Sequence, residues 1–95
     1  MADRSISLIM PAFNEEATIE FSVRSAIEKL EEHSFDYEIF IFNDASIDKT
    51  GTIAEALACK YPKIIVFHNQ RNMNLGYNLA QGIKLASKPY AGLLP

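Results

Sequence analysis

Four short apolar runs divide this chain, and each of the first three is followed by a polar cluster and then by an amphipathic stretch. The runs are Ser5–Met10, Tyr37–Phe42, Lys63–Phe67 and Tyr90–Leu94. Between the first two, residues Glu15 to Glu32 carry Ile19, Val23, Ala26, Ile27 and Leu30 at helical spacing, with Glu20, Arg24, Glu28 and Glu31 opposite. A second helix is predicted from Asp48 to Lys60, with Ile53, Ala56 and Leu57 inward, stopping before Pro62. A third spans Gly76 to Ala86, with Pro89 beyond it. Short strands separated by helices imply right-handed crossovers and a parallel sheet, so the fold class is α/β with flanking helices. The near-continuous apolar character of the third run suits a strand covered on both faces.

With 95 residues there is room for one domain. A hydrophobic fraction of 48% is that of a globular chain. The net charge of −3 argues against a polyanion, so nucleic acid is not an expected partner. Cys59 is the single cysteine, which excludes an internal disulfide; it reads as a small packed residue on the second helix. Met1 to Ser5 carry charge where a signal peptide needs an apolar core. No apolar run approaches the roughly 20 residues of a membrane span. A soluble, cytoplasmic chain is the expectation, with any membrane association supplied by other parts of a parent protein.

In parallel α/β sheets, ligands bind outside the carboxyl ends of the strands. Three clusters fall there. The first is Pro11-Ala12-Phe13-Asn14-Glu15-Glu16. Pro11 ends the first strand, and Asn14 is placed to cap the first helix with two glutamates in its first turn. Ala12 is small enough to let a flat base approach the backbone, Glu15 offers an acceptor, and Phe13 either lines the cleft or joins the core. The second cluster runs from Asn43 to Thr50. Asp44 ends a buried strand, where a carboxylate needs hydrogen-bond donors. A nucleobase N–H is one source; a backbone N–H of its own turn is the other. Ser46, Asp48 and Thr50 read as scaffold that ties the loop and caps the second helix. The third cluster runs from Arg71 to Gly82. Asn74 and Gly76 suit positive φ, Gly82 suits close helix–sheet packing, and Arg71 either meets a phosphate or is a solvated loop charge. His33 and His68 read as surface or loop histidines.

Together, in this order, the clusters resemble family 2 glycosyltransferases of the GT-A fold over nearly the whole chain. Leu8-Ile9-Met10-Pro11-Ala12-Phe13-Asn14-Glu15-Glu16 is similar to their opening strand and loop. Asn43-Asp44-Ala45-Ser46-Ile47-Asp48-Lys49-Thr50 is similar to their Asp-Asp-Gly-Ser-x-Asp-x-Thr loop, and Asn72 to Gly82 to their Asn-x-Gly-x-Gly-x-Ala-x-x-x-Gly segment. Asn43, Ala45 and Asn74 depart from that pattern, standing where it has aspartate, glycine and glycine. The branch most similar in character is the polyprenyl-phosphate sugar transferases.

The resemblance implies a partial GT-A fold, a mostly parallel Rossmann-like sheet. It implies that Pro11, Ala12, Phe13, Glu15 and Asp44 hold the base and ribose of a UDP- or GDP-linked sugar. In the family a carboxylate motif after the fourth strand holds Mg²⁺ or Mn²⁺ on the diphosphate, where the cation offsets charge on the leaving group. A later carboxylate deprotonates the acceptor in inverting members. The chain ends at Leu93-Leu94-Pro95, before either. The expectation is therefore one domain, residues 1–95, that carries the nucleotide part of a parent transferase, binds no metal and is inactive alone. Exposed sheet edges and helix faces would favour self-association. The alternative is a non-enzymatic α/β interaction module on the same scaffold. A phosphoacceptor receiver domain would need an aspartate after the third strand, where this chain has Phe67-His68-Asn69. A sugar nucleotidyltransferase would open on a glycine-rich basic loop, which Pro11–Glu16 is not.

Overall fold

A computed structural model describes residues 4–94; residues 1–3, part of the charged N-terminal stretch, and Pro95 lie outside the described residues. The elements run β1 (Ser5–Ala12), α1 (Ile19–Glu32), β2 (Asp36–Asn43), α2 (Thr50–Lys60), β3 (Ile64–His68), α3 (Asn74–Leu85) and β4 (Tyr90–Leu93). The four strands form one sheet in the order β3-β2-β1-β4, and every pairing is parallel. The expected α/β architecture is therefore present.

Side chains alternate across the sheet and divide the core into two layers. Met10, Ala12, Tyr37, Ile39, Ile41 and Ile64 face one way and pack with Ile19, Val23 and Ile27 of α1 and Ala54 and Leu57 of α2. Ile9, Phe40 and Phe42 face the other way, towards Leu79 of α3, Phe67 and Ala86. The strand order requires this division. β2 and β3 extend the sheet to one side of β1 while β4 adds to the other, so a right-handed crossover must carry α3 over the opposite face from α1 and α2. Strand order reverses between β1 and β4, which makes the carboxyl end of β1 the switch point of the sheet.

Gly82 marks how closely α3 sits on that sheet. A Cβ there would lie 2.6, 2.7 and 2.8 Å from Cγ1, Cδ1 and Cγ2 of Ile9. At the other end of the sheet, Glu38 anchors the connection from α3 to β4. It accepts Ser7 Oγ at 2.6 Å, Ser87 N at 2.8 Å and Ser87 Oγ at 2.9 Å. Lys88 adds an ion pair to Asp36 at 3.0 Å.

Several local expectations are corrected. β1 continues through Pro11 to Ala12. The missing proline N–H is harmless there because odd-numbered residues of β1 face β4, as the bond from Leu94 N to Ile9 O shows, and the β4 pairing ends at Ile9. α1 starts at Ile19, and Thr18 precedes it without a side-chain cap. Asn14 does not cap it, because its Oδ1 accepts Ile47 N from another loop and its own φ is 52°. On α2 the inward small residue is Ala54; Ala56 is exposed, as is Cys59. β3 is an edge strand, and its Ile65 is open to solvent rather than covered. Gly76 has no positive φ and lies inside α3; Asn74 has φ 73°.

Ala45 sits where the resemblance places glycine, and its φ is 62°. An L-residue pays about 1–2 kcal/mol in that region, partly offset because glycine is freer when unfolded. Ala45→Gly is expected to stabilise the chain by up to about 1 kcal/mol. A raised urea midpoint would register this; a lowered one would mean that the Ala45 methyl group makes contacts worth more than the backbone strain.

Candidate functional site

Three loops leave the carboxyl ends of the adjacent strands β1, β2 and β3. Main-chain bonds join the strand ends: Asp44 N donates to Ala12 O at 2.8 Å, and Asn69 N to Asn43 O at 2.9 Å. Pro11, Ala12, Phe13, Glu15 and Asp44 are thereby brought to one region, with Arg71 in the third loop.

The first two loops are laced together by reciprocal hydrogen bonds. Asn14 N donates to Ser46 Oγ at 2.9 Å, Glu15 N to Thr50 Oγ1 at 2.7 Å and Glu16 N to Asp48 Oδ2 at 3.2 Å. In return Ile47 N donates to Asn14 Oδ1 at 2.9 Å and Lys49 N to Glu16 Oε1 at 2.8 Å. Asp48 Oδ1 also receives Thr50 N at 2.9 Å, satisfying a free donor at the start of α2. These are the scaffold roles expected of Ser46, Asp48 and Thr50. Glu16 shares them, through both its main-chain N–H and its carboxylate.

Asp44 is 7% exposed, and the donors it finds within the chain do not come from its own turn. They come from the third loop. Oδ1 receives Asn69 Nδ2 at 2.8 Å and Met73 N at 2.8 Å, and Oδ2 receives Asn74 N at 3.2 Å. The Asp44 carbonyl receives Asn72 Nδ2 at 2.6 Å. Burial opposes ionisation of this carboxyl, but the hydrogen bonds outweigh it and hold the pKa below the ordinary 3.8. A carboxylate offers about four lone-pair positions. Three are used by these bonds, and the neighbouring Asn78 side chain also favours the ionised form. Asn78 is fully buried beside this group. Its Oδ1 receives Asn69 Nδ2 at 2.7 Å, and its Nδ2, unpaired among the described residues, lies close enough to help hold Asp44 ionised.

The remaining side chains are more open. Phe13 is 46% exposed. The Glu15 carboxylate receives one long bond, from Phe13 N at 3.4 Å, and has acceptor capacity to spare. Arg71 is exposed and forms no ion pair among the described residues. Ala12 is buried, and its carbonyl is taken by Asp44 N. This arrangement can offer an aromatic face, a free carboxylate and a partly committed one, with a guanidinium in the neighbouring loop. No group of three or more His, Cys, Asp or Glu gathers into a cation site among the described residues. The nearby carboxylates of Asp44 and Asp48 are each bound to main-chain donors, so they do not fit a divalent ion. A surface groove of about 590 Å³ lies away from this region, beside Phe21, Arg24 and Tyr61.

Sequence reasoning missed Asn69, Asn72 and Asn78 as the partners that organise Asp44. The available signal was the density of asparagine between Asn69 and Asn78. It also missed the link from Asn43 Nδ2 to His68 Nδ1, 2.9 Å, and from His68 Nε2 to Glu55 Oε2, 2.5 Å.

Residues 7–94 match the sequence pattern described as glycosyl transferase family 2. A prophage bactoprenol glucosyl transferase homolog of Escherichia coli (strain K12) is 35% identical over 82 residues, covering 86% of this chain and 27% of that protein. A dolichyl-phosphate beta-glucosyltransferase of Trichomonas vaginalis is 32% identical over 82 residues, covering 81% of this chain and 25% of that protein. Among solved structures, a mannosyltransferase from Pyrobaculum calidifontis in complex with GDP-Man and Mn²⁺ superposes with a TM-score of 0.70. It is 18% identical, and the match covers 88% of this chain and 24% of that one, a likeness of fold. The chain thus spans about a quarter of the length of these relatives.

Proposed function

The chain belongs to glycosyl transferase family 2, and from that premise we propose that its three strand-end loops are the nucleotide-binding part of a sugar transferase. The observation that carries this reading is the convergence of Phe13, Glu15 and Asp44 at the carboxyl ends of β1 and β2, on loops already locked to each other. A pre-organised site loses little freedom when a ligand binds.

In this reading Pro11 and Ala12 present backbone to the flat base, and Phe13 covers its face. The free acceptors of Glu15 and the carboxylate of Asp44 take N–H or ribose hydroxyl donors. Arg71 meets the diphosphate. The donor is a UDP- or GDP-linked sugar, and Mg²⁺ or Mn²⁺ acts in the parent enzyme through residues outside this chain. Transfer itself belongs to the parent, which would work at the cytoplasmic membrane surface if its acceptor is a polyprenyl phosphate like those named for its relatives. Self-association through the apolar residues that α3 and β4 leave exposed, Leu75, Ile83, Tyr90 and Leu93, is part of the same proposal.

Titration of the chain with UDP-glucose and GDP-mannose, followed by amide NMR, tests the site. Shifts are expected at Phe13, Glu15, Asp44 and Arg71. Unmoved Glu15 and Asp44 amides at millimolar sugar nucleotide would sink the reading and favour a non-enzymatic module on the same scaffold.

A further inference from the structure

Asn43 and His68 end adjacent strands, and their contact is chemically directional. Asn43 Oδ1 receives Ser46 N at 3.2 Å. The atom that Asn43 turns to His68 must then be its NH₂ group, a donor. His68 Nδ1, 2.9 Å away, must accept, which places the ring proton on Nε2, facing Glu55. The chain of bonds continues, because Ser46 Oγ receives Asn14 N and Asn14 Oδ1 receives Ile47 N. A path of direct hydrogen bonds therefore runs from His68 to the loop that holds Phe13 and Glu15.

We infer that Glu55, His68 and Asn43 form a protonation-dependent brace that positions the β2–α2 loop, and through it the proposed nucleotide site. The neutral ring satisfies every member of the path. A proton on Nδ1 sets N–H against NH₂. Turning the Asn43 amide over relieves that contact but then sets NH₂ against Ser46 N–H. One of the two bonds must fail, and Asn43 is too buried for water to replace it freely. The ring itself is 43% exposed, so protons reach it. Gly51 makes room for the brace, since a Cβ there would lie 2.6 Å from Asn43 Nδ2.

The charged groups on the surrounding elements do not substitute for this path. Glu55 of α2 faces Nε2, on the opposite side of the ring from Asn43. Asp44 directs its carboxylate to Asn69, Met73 and Asn74, and Asp48 directs its own to Thr50 and Glu16. At the far end of β2, Asp36 pairs with Lys88 and Glu38 binds Ser7 and Ser87. Lys60 lies over Tyr61 and Lys63 over Tyr37. Lys49, before α2, forms no ion pair among the described residues.

Because the brace rests on the proposed nucleotide site, its test has two readouts. The first is NMR titration of the full chain without ligand, following the His68 ring and the Ser46 and Asn14 amides between about pH 8 and about pH 5. The amides are expected to move with the His68 midpoint. The second is affinity for UDP-glucose and GDP-mannose, whose diphosphate esters do not titrate in that range. Affinity is expected to fall by up to roughly tenfold on protonation, the worth of about one hydrogen bond. Asn43→Asp should invert this dependence, because a carboxylate accepts from both His68 Nδ1–H and Ser46 N–H. His68→Gln should flatten it, which keeps the test decisive if the aspartate variant folds poorly. Ser46 and Asn14 amides that ignore the His68 titration would overturn the brace, as would an Asn43→Asp profile of unchanged sign. Amides that follow His68 without sugar-nucleotide binding at any pH would uphold the loop coupling and sink the nucleotide reading alone.

Discussion

Asp44→Ala is expected to destabilise the chain by about 2–3 kcal/mol, the net worth of charge-assisted hydrogen bonds that water in a partly open loop replaces in part. The substitution strands Met73 N, Asn74 N and the Asn69 amide together, and these donors fix how the chain enters α3. Asp44→Asn should cost about half as much, since its oxygen can still accept while its NH₂ opposes one N–H. Urea denaturation measures both. The acid limb gives a second signature. The folded pKa of Asp44 lies below the ordinary 3.8, so its stabilisation is complete above that value and is lost as pH falls through the folded pKa. Glu38 behaves alike: burial raises its pKa, but hydrogen bonds from Ser7 and Ser87 and the charge of Lys88 bring it below 4.5. The diagnostic quantity is therefore the gap between parent and Asp44→Ala, which should close at acid pH while the Glu38 contribution remains in both. A gap independent of pH would mean that the alanine variant loses packing rather than a charged acceptor.

The role of Asp44 marks the limit of what could be read from the sequence. Its burial at a strand end was legible, because an unbroken apolar run, Ile39 to Phe42, leads up to it. So were the parallel sheet, the short connections and the gathering of the loops, all of which follow from local periodicity and crossover handedness. The donors were not legible. Asn69, Met73 and Asn74 lie far along the chain from Asp44, and nothing in local spacing tells which loop turns its amides inward. Asn14 was misassigned for the same reason. Its position before a helical stretch satisfies the capping rule, but Ile47 N competes for the same oxygen and wins. Edge positions were a second blind spot. Ile64 to Phe67 has the composition of a covered strand, yet only the sheet order makes β3 an edge and leaves Ile65 exposed.

The other large effect is expected at Gly82, where intrinsic propensity and packing predict opposite signs. Gly82 lies within α3, so Gly82→Ala considered locally should stabilise by about 1 kcal/mol. The added Cβ, however, would lie within 2.6 to 2.8 Å of three Ile9 side-chain atoms. Those atoms include both branches at the Ile9 Cβ, so no single rotation clears them. Ile9 itself is fully buried on β1, which is held between β2 and β4 and cannot retreat. The helix must lift instead, and overpacking of this kind costs about 1–3 kcal/mol for a methyl group, more for a branched side chain. Gly82→Ala should therefore lose about 1–2 kcal/mol net and Gly82→Val more than about 3 kcal/mol. Lifting α3 also withdraws Met73 and Asn74 from Asp44, so the valine variant should lose the acid-dependent gap described above. A double-mutant cycle separates the causes. Ile9→Ala alone costs about 2–5 kcal/mol through its cavity. In its background Gly82→Ala should become stabilising, because the obstructing atoms are gone and the helix propensity remains. Strict additivity of the two changes would show that α3 is not held against β1 by the absence of a side chain at residue 82.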